Sequence, residues 1–135
     1  FEMIKFRTMH EETPVRPFES FRLPEKYYEN FGKFLRTTAI DELPQLINVL
    51  KGEMSIVGPR PEILSLTSKY SDEHKKVFKY VPGITGYSQI NGRQLLTPEQ
   101  RTEMELDYYN NETFWSDLKI IFKTFPVVIT NKGNL

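Results

Sequence analysis

Apolar residues recur at helical spacing in the middle of this 135-residue chain. Leu43, Leu46, Ile47 and Leu50 follow the i, i+3, i+4, i+7 pattern of a buried stripe. Pro44 is tolerated only in a first turn, which starts that helix near Asp41. Asp41 is then placed as N-cap, and Gly52 is placed to end the helix. Upstream, residues 1–9 alternate, with Ile4 and Phe6 on one face and Lys5 and Arg7 on the other, which predicts a strand. Residues 10–23, punctuated by Pro14 and Pro17, read as a long loop. Pro24 opens a short helix packed through Tyr27, Tyr28 and Phe31, and Gly32 breaks the chain before Lys33-Phe34-Leu35-Arg36.

Beyond the central helix, residues 54–57 form a short strand, and Gly58-Pro59-Arg60-Pro61 cannot be helix interior. Residues 62–80 read as helix, restarted at Ser71-Asp72-Glu73. After a turn at Pro82-Gly83, residues 85–90 are strand-like, and Asn91-Gly92 signals a tight turn. Thr97-Pro98-Glu99-Gln100 combines an N-cap, a proline at the first helical position and a capping-box glutamine, for a helix to about Tyr109. A last helix from about Thr113 carries Leu118, Ile121, Phe122 and Phe125, with Pro126 kinking or ending it. Its apolar side packs on a core or lies on a membrane surface, where Lys119, Lys123 and Lys132 would suit anionic lipid. The expectation is one α+β domain over residues 1–135, with strands near Phe1, Met54 and Thr85 among several helices.

Lysine plus arginine, 18, equals aspartate plus glutamate, 18, which argues against nucleic-acid binding by bulk charge. Without cysteine there is no disulfide framework and no thiolate metal site. No apolar run approaches the ~18 residues of a membrane span, and no signal peptide is visible. A chain opening on Phe1 reads as a fragment whose natural start lies upstream.

The adjacent acids Asp41 and Glu42 are the first candidates for chemistry, able to divide the roles of nucleophile and metal ligand. Alone, such a pair is equally a cap and a solvated charge. Arg36 lies five residues before them, and Arg60 follows the next strand, held between Pro59 and Pro61. Two arginines near two acids make either an ion-pair network or an anion site, and the prolines restrict Arg60 in advance, which favours binding. Lys5 and Arg7 side by side form a phosphate grip or a solvated edge. Pro82-Gly83-Ile84-Thr85-Gly86 offers two glycines and the Thr85 hydroxyl, and Arg93 projects from the tip of a turn. His10 and His74 have no metal-ligand partners at useful spacing, and there is no Ser-His-Asp set or P-loop.

Taken in order, these segments resemble the bacterial sugar transferases over nearly the whole chain. The resemblance rests on the Lys5-Phe6-Arg7-Thr8-Met9 strand, Gly32-Lys33-Phe34-Leu35-Arg36, Asp41-Glu42-Leu43-Pro44-Gln45-Leu46 and Val57-Gly58-Pro59-Arg60-Pro61-Glu62. Pro82-Gly83-Ile84-Thr85-Gly86 follows with Gln89-Ile90-Asn91-Gly92-Arg93, then Arg101, Tyr108, Asn111, Asp117 and Leu118-Lys119-Ile120 at the family's spacing. The chain departs from the family at Glu105, where an aspartate is expected, and at Tyr87-Ser88, commonly an apolar residue and alanine. The family's N-terminal re-entrant hydrophobic helix is absent from this sequence.

The resemblance implies transfer of a sugar 1-phosphate from a nucleotide diphosphate sugar, by family default a UDP-sugar, to polyprenyl phosphate. It implies Asp41 as nucleophile forming an aspartyl-phosphate-sugar intermediate, Glu42 as the Mg²⁺ residue, and Lys5, Arg36 and Arg60 as phosphate holders. Arg7, Pro59, Pro61, Thr85, Arg93 and Arg101 are the expected substrate-binding positions. Family members work at the cytoplasmic face of the bacterial inner membrane and initiate surface glycan assembly. The alternative is a truncated module that binds a nucleotide sugar or a membrane surface without catalysis. Oligomeric state and strand order are not legible.

Overall fold

The computed structural model describes residues 1–11, 13, 30–62, 67–92 and 96–130. The chain has an α+β fold of several helices and a small two-stranded sheet among the described residues. Helix α1 (Asn30–Thr37) leads into a 3₁₀ turn (Ile40–Glu42), helix α2 (Gln45–Leu50) and strand β1 (Ser55–Val57). A second 3₁₀ segment (His74–Lys79) precedes strand β2 (Gly83–Thr85), and helices α3 (Tyr87–Ile90), α4 (Pro98–Tyr109) and α5 (Phe114–Thr130) follow. The two strands run parallel, pairing Ser55 with Gly83 and Val57 with Thr85.

Glycine decides how closely the sheet can pass the loop carrying Arg60. A Cβ on Gly58 would lie 2.3 Å from the Val81 carbonyl oxygen and 2.6 Å from the Gly83 nitrogen. Both are backbone atoms, and ladder bonds hold the two glycines in place, Gly58 N–H to Thr85 O at 2.9 Å and Gly83 N–H to Pro59 O at 3.0 Å. Neither can yield without breaking the pairing. Gly58→Ala should therefore cost about 3 kcal/mol, the upper end for an overpacked position. A lowered urea midpoint checks this, and an unchanged midpoint contradicts it.

The strand expected over residues 1–9 does not form; only Met9 makes a bridge there. Part of their backbone is paired with α2 instead of with a neighbouring strand. Ile4 N–H donates to Asn48 Oδ1 at 3.1 Å, and Asn48 Nδ2 donates to Glu2 O at 2.8 Å. The same amide donates to Glu53 Oε2 at 2.7 Å. Asn48 is 0% exposed, and Gln45 is buried beside it. This polar docking turns α2 over. Leu43, Leu46, Ile47 and Leu50 face outward, Leu50 at 88% exposure, which corrects the expected buried stripe. The buried Asn48 amide thus supplies partners to the Glu2 carbonyl and the Ile4 N–H.

Further expectations change for similar reasons. Gly32 sits inside α1 rather than breaking it, because its missing side chain admits the Thr8 carbonyl oxygen, 2.2 Å from where a Cβ would lie. The Pro24 helix with Tyr27 and Tyr28 and most of the 10–23 loop lie outside the described residues. Of the helix expected over 62–80 with a restart at Ser71-Asp72-Glu73, residues 63–66 lie outside the described residues, and the part after the restart is a 3₁₀ segment at His74–Lys79, not an α-helix. Strand β2 ends at Thr85 and the chain turns helical at Tyr87, so 85–90 is not a strand, while the expected turn at Asn91-Gly92 forms and closes α3. Helix α4 begins with the full capping box at Thr97 and Gln100, as expected. Helix α5 continues through Pro126, buries Ile120, and leaves Phe122 and Phe125 exposed.

The core lies where α4 meets the second 3₁₀ segment, around Tyr70, Val77 and Leu106. Glu105 is buried there at 3% exposure. Its Oε1 accepts from the Ser88 backbone N–H at 3.1 Å and from the Ser88 hydroxyl. Thus the two departures from the family pattern, at 88 and 105, meet: the longer carboxylate has a hydroxyl to accept from.

Candidate active site

The acidic pair is set by backbone shape before any side chain is considered. Ala39 adopts φ 55°, ψ 17°, a left-handed conformation that a non-glycine residue rarely takes. It turns the chain from α1 into the 3₁₀ turn holding Asp41 and Glu42. Asp41 is therefore inside a turn and caps no helix; the residue flanking α2 is Pro44. The Asp41 carbonyl accepts from Phe6 N–H at 3.0 Å, which docks the Lys5 segment beside it.

Asp41 is 8% exposed. Burial pushes its carboxyl above the usual carboxylate range, and the neighbouring Glu42 charge pushes the same way. The positive charges of Lys5 and Arg36 oppose that rise. Glu42 Oε1 lies 3.5 Å from Arg60 Nη2. Arg36 also reaches Met9, with Nη1 3.7 Å from Sδ. The fold thus gathers Asp41, Glu42, Lys5, Arg36 and Arg60, which are scattered over 56 positions of sequence, into one charged cluster.

The remaining sequence candidates are placed differently. Arg7 is exposed and paired with Glu11. Thr85 is buried, its hydroxyl 2.8 Å from that of Thr124. Arg93 lies outside the described residues. Pro59 is buried and Pro61 half-buried, flanking an exposed Arg60. Arg101 pairs through Nη1 with Glu62 Oε1 at 3.0 Å, and both are half-buried.

That last pair borders a cavity of about 260 Å³ which sequence reading did not anticipate. Arg60, Glu62, Tyr70, Phe78, Arg101 and Glu105 are among its walls. Phe78 carried no periodic or motif signal, and Glu62 stood only as the last residue of the Val57-Gly58-Pro59-Arg60-Pro61-Glu62 motif; folding brings residues 60–62, 70–82 and 101–105 together. Arg60 belongs both to the cavity wall and to the acidic cluster.

Two neighbouring carboxylates with cations behind them suit phosphoryl chemistry with a divalent cation. Mg²⁺ uses one or two protein carboxylates and completes its shell with water and substrate phosphate oxygens. Among the described residues no group of three or more His, Cys, Asp or Glu is gathered for a metal. A cation held by Glu42 would accordingly draw its other ligands from a bound diphosphate and water, which the donor set here fits.

A family profile described as bacterial sugar transferase matches residues 1–131. The uncharacterized sugar transferase EpsL of Bacillus subtilis (strain 168) is 40% identical over 134 residues, covering 98% of this chain and 65% of that protein. The undecaprenyl-phosphate galactose phosphotransferase of Salmonella typhimurium is 43% identical over 102 residues, covering 76% of this chain and 21% of its own length. The UDP-glucose:undecaprenyl-phosphate glucose-1-phosphate transferase of Caulobacter vibrioides is 36% identical over 138 residues, covering 96% of this chain and 52% of its own. The chain thus spans less than two thirds of the length of each of these three relatives.

Proposed function

This chain belongs to the bacterial sugar transferase family, and we propose that it transfers a sugar 1-phosphate from a UDP-sugar to polyprenyl phosphate at a membrane surface. Relatives named for UDP-sugar and undecaprenyl-phosphate substrates support that donor and acceptor. The observation that carries the reading is the buried Asp41 in the field of Lys5 and Arg36, beside the Glu42–Arg60 pair. A buried carboxylate stripped of water, with cations positioned to receive an anion, is what a nucleophile toward phosphorus needs.

In the proposed reaction an Asp41 oxygen attacks the phosphorus bonded to the sugar. The O–P bond forms as the bridging P–O bond breaks, and the bridging oxygen leaves with the nucleoside monophosphate. The acyl phosphate is reactive enough to pass its group on, where a serine ester would be inert. An oxygen of the lipid phosphate then attacks the same phosphorus, and the Asp41–phosphorus bond breaks to restore the carboxylate. The sugar–oxygen bond survives both steps. Lys5, Arg36 and Arg60 hold the phosphoryl oxygens in line and spread their charge. Glu42 would hold Mg²⁺, which when bound neutralises the diphosphate so that an anion can approach it.

The exposed apolar residues of α1, α2 and α5, among them Phe31, Phe34, Leu46, Leu50, Phe122 and Ile129, support work against lipid. No helix among the described residues is long and apolar enough to cross a membrane. The lipid-linked product would begin assembly of a surface glycan.

The test is a UDP-sugar labelled in its sugar-linked phosphate, given with Mg²⁺ and undecaprenyl phosphate. Label in the lipid fraction with matching uridine monophosphate release is expected; label appearing only as free sugar phosphate in water contradicts the transfer. Glu42→Gln should shift the Mg²⁺ dependence to concentrations about tenfold higher or more, by loss of one charged ligand. An unchanged metal titration would take Glu42 out of that role.

A further inference from the structure

The cavity beside Arg60 is distinct from the acidic cluster yet shares that one arginine with it. A nucleotide diphosphate sugar runs in the order base, ribose, two phosphates, sugar. If its phosphates meet Arg60 and its sugar-linked phosphorus meets Asp41, the other end of the molecule is directed to the cavity side. At about 260 Å³ the cavity has room for part of such a donor and not all of it.

Its walls present two kinds of surface. Phe78 lies parallel to Tyr70, with ring centroids 6.0 Å apart and planes 7° from each other, and Phe78 remains 57% exposed. That ring offers a planar ligand a face to stack on. At the wall, the Glu62 carboxylate sits against the Arg101 guanidinium at 3.0 Å. Burial pushes the Glu62 carboxyl above its ordinary range while Arg101, and then Arg60, pull it back. A carboxylate beside a guanidinium sets an acceptor next to a donor. An isoprenoid tail has nothing to pair with such an edge. A cyclic imide, with its N–H next to a carbonyl, is its complement.

Resting on the reading of the chain as a UDP-sugar enzyme, we propose that this cavity is the nucleobase site, in which Phe78 stacks the uracil ring and the Glu62 carboxylate accepts its N3–H while Arg101 donates to a ring carbonyl. Glu62 is then the residue that selects the base. The chemistry sets a directional consequence. Arg101 can only donate, so in Glu62→Gln the amide oxygen must take the place facing Arg101. The amide nitrogen then turns to the base edge and presents a donor where an acceptor stood. Uracil meets it with another donor, whereas cytosine, whose N3 is an acceptor, fits.

The experiment is titration calorimetry of the full chain with Mg²⁺, using UDP, CDP and the N3-methylated analogue of UDP. The unmodified protein should bind UDP more tightly than CDP, and N3-methylation should weaken binding about tenfold or more, the consequence of replacing a hydrogen bond to Glu62 with a methyl group against its carboxylate. Glu62→Gln should reverse the order and prefer CDP. Equal binding of UDP and its N3-methyl analogue overturns the assignment without any variant having to fold. So does a Glu62→Gln protein that still prefers UDP. If UDP binds but the base makes no difference, only the base site falls and the donor reading stands. If the unmodified protein binds no UDP, both fall.

Discussion

Asp41→Asn should abolish covalent labelling from a donor carrying label in its sugar-linked phosphate, and should lower transfer to lipid by about 10⁴-fold or more, the scale on which an enzyme loses its nucleophile. The variant should remain folded. Asparagine keeps the shape, and it removes a charge that burial penalises. The Phe6 N–H bond to residue 41 is made by the backbone carbonyl and survives the change. Loss of label in a protein with an unaltered unfolding midpoint separates a chemical role from a structural one. Undiminished labelling would remove Asp41 from the role, with Glu42 the next carboxylate to test.

The second large effect concerns stability and falls on Glu105. Burial raises its carboxyl from an ordinary 4.5 to about 7, against the opposing pull of the Ser88 hydroxyl and backbone, Arg101 and the Tyr87 backbone. The folded protein therefore holds a proton that the unfolded chain has released. Stability contributed by the neutral form is fully present below about 4.5 and is lost as the pH rises to about 7. Across that window Glu105 should withdraw about 3 kcal/mol of folding stability. Urea midpoints over the window measure it. Glu105→Gln stays neutral throughout, so its stability should fall less steeply than that of the unmodified protein by that amount. Parallel pH profiles for the two proteins would show that Glu105 is ionised in the fold.

The buried setting of Glu105 also shows how far local sequence signals reach. Arg101 and Glu105 are four apart on a helix whose start is fully written in Thr97-Pro98-Glu99-Gln100, so their shared side of α4 was readable. That Glu105 would hold the start of α3 through Ser88 was not, because α3 itself was read as strand. Helix α3 is only four residues long, too short for periodicity to declare it.

The polarity of α2 is the sharpest contrast. Its spacing identified a helix and identified its apolar side. It did not determine which side faces the interior. A stripe of leucines normally turns inward because water is the alternative. Here Gln45 and Asn48 occupy the inner side, and Asn48 supplies the backbone of Glu2 and Ile4 with a donor and an acceptor that leucine cannot offer.

By itself, then, the chain's sequence determined the α4 cap, the proline-framed arginine, the acid pair and the ordered set of motifs that places it in its family. These are local matters of backbone preference and residue order. Tertiary structure alone decided that Lys5 and Arg36 act on Asp41 while Arg60 turns to Glu42, and that Glu62, Phe78 and Arg101 enclose one cavity. Charge and packing act through space, and distances between residues far apart in sequence exist only once the chain has closed on itself.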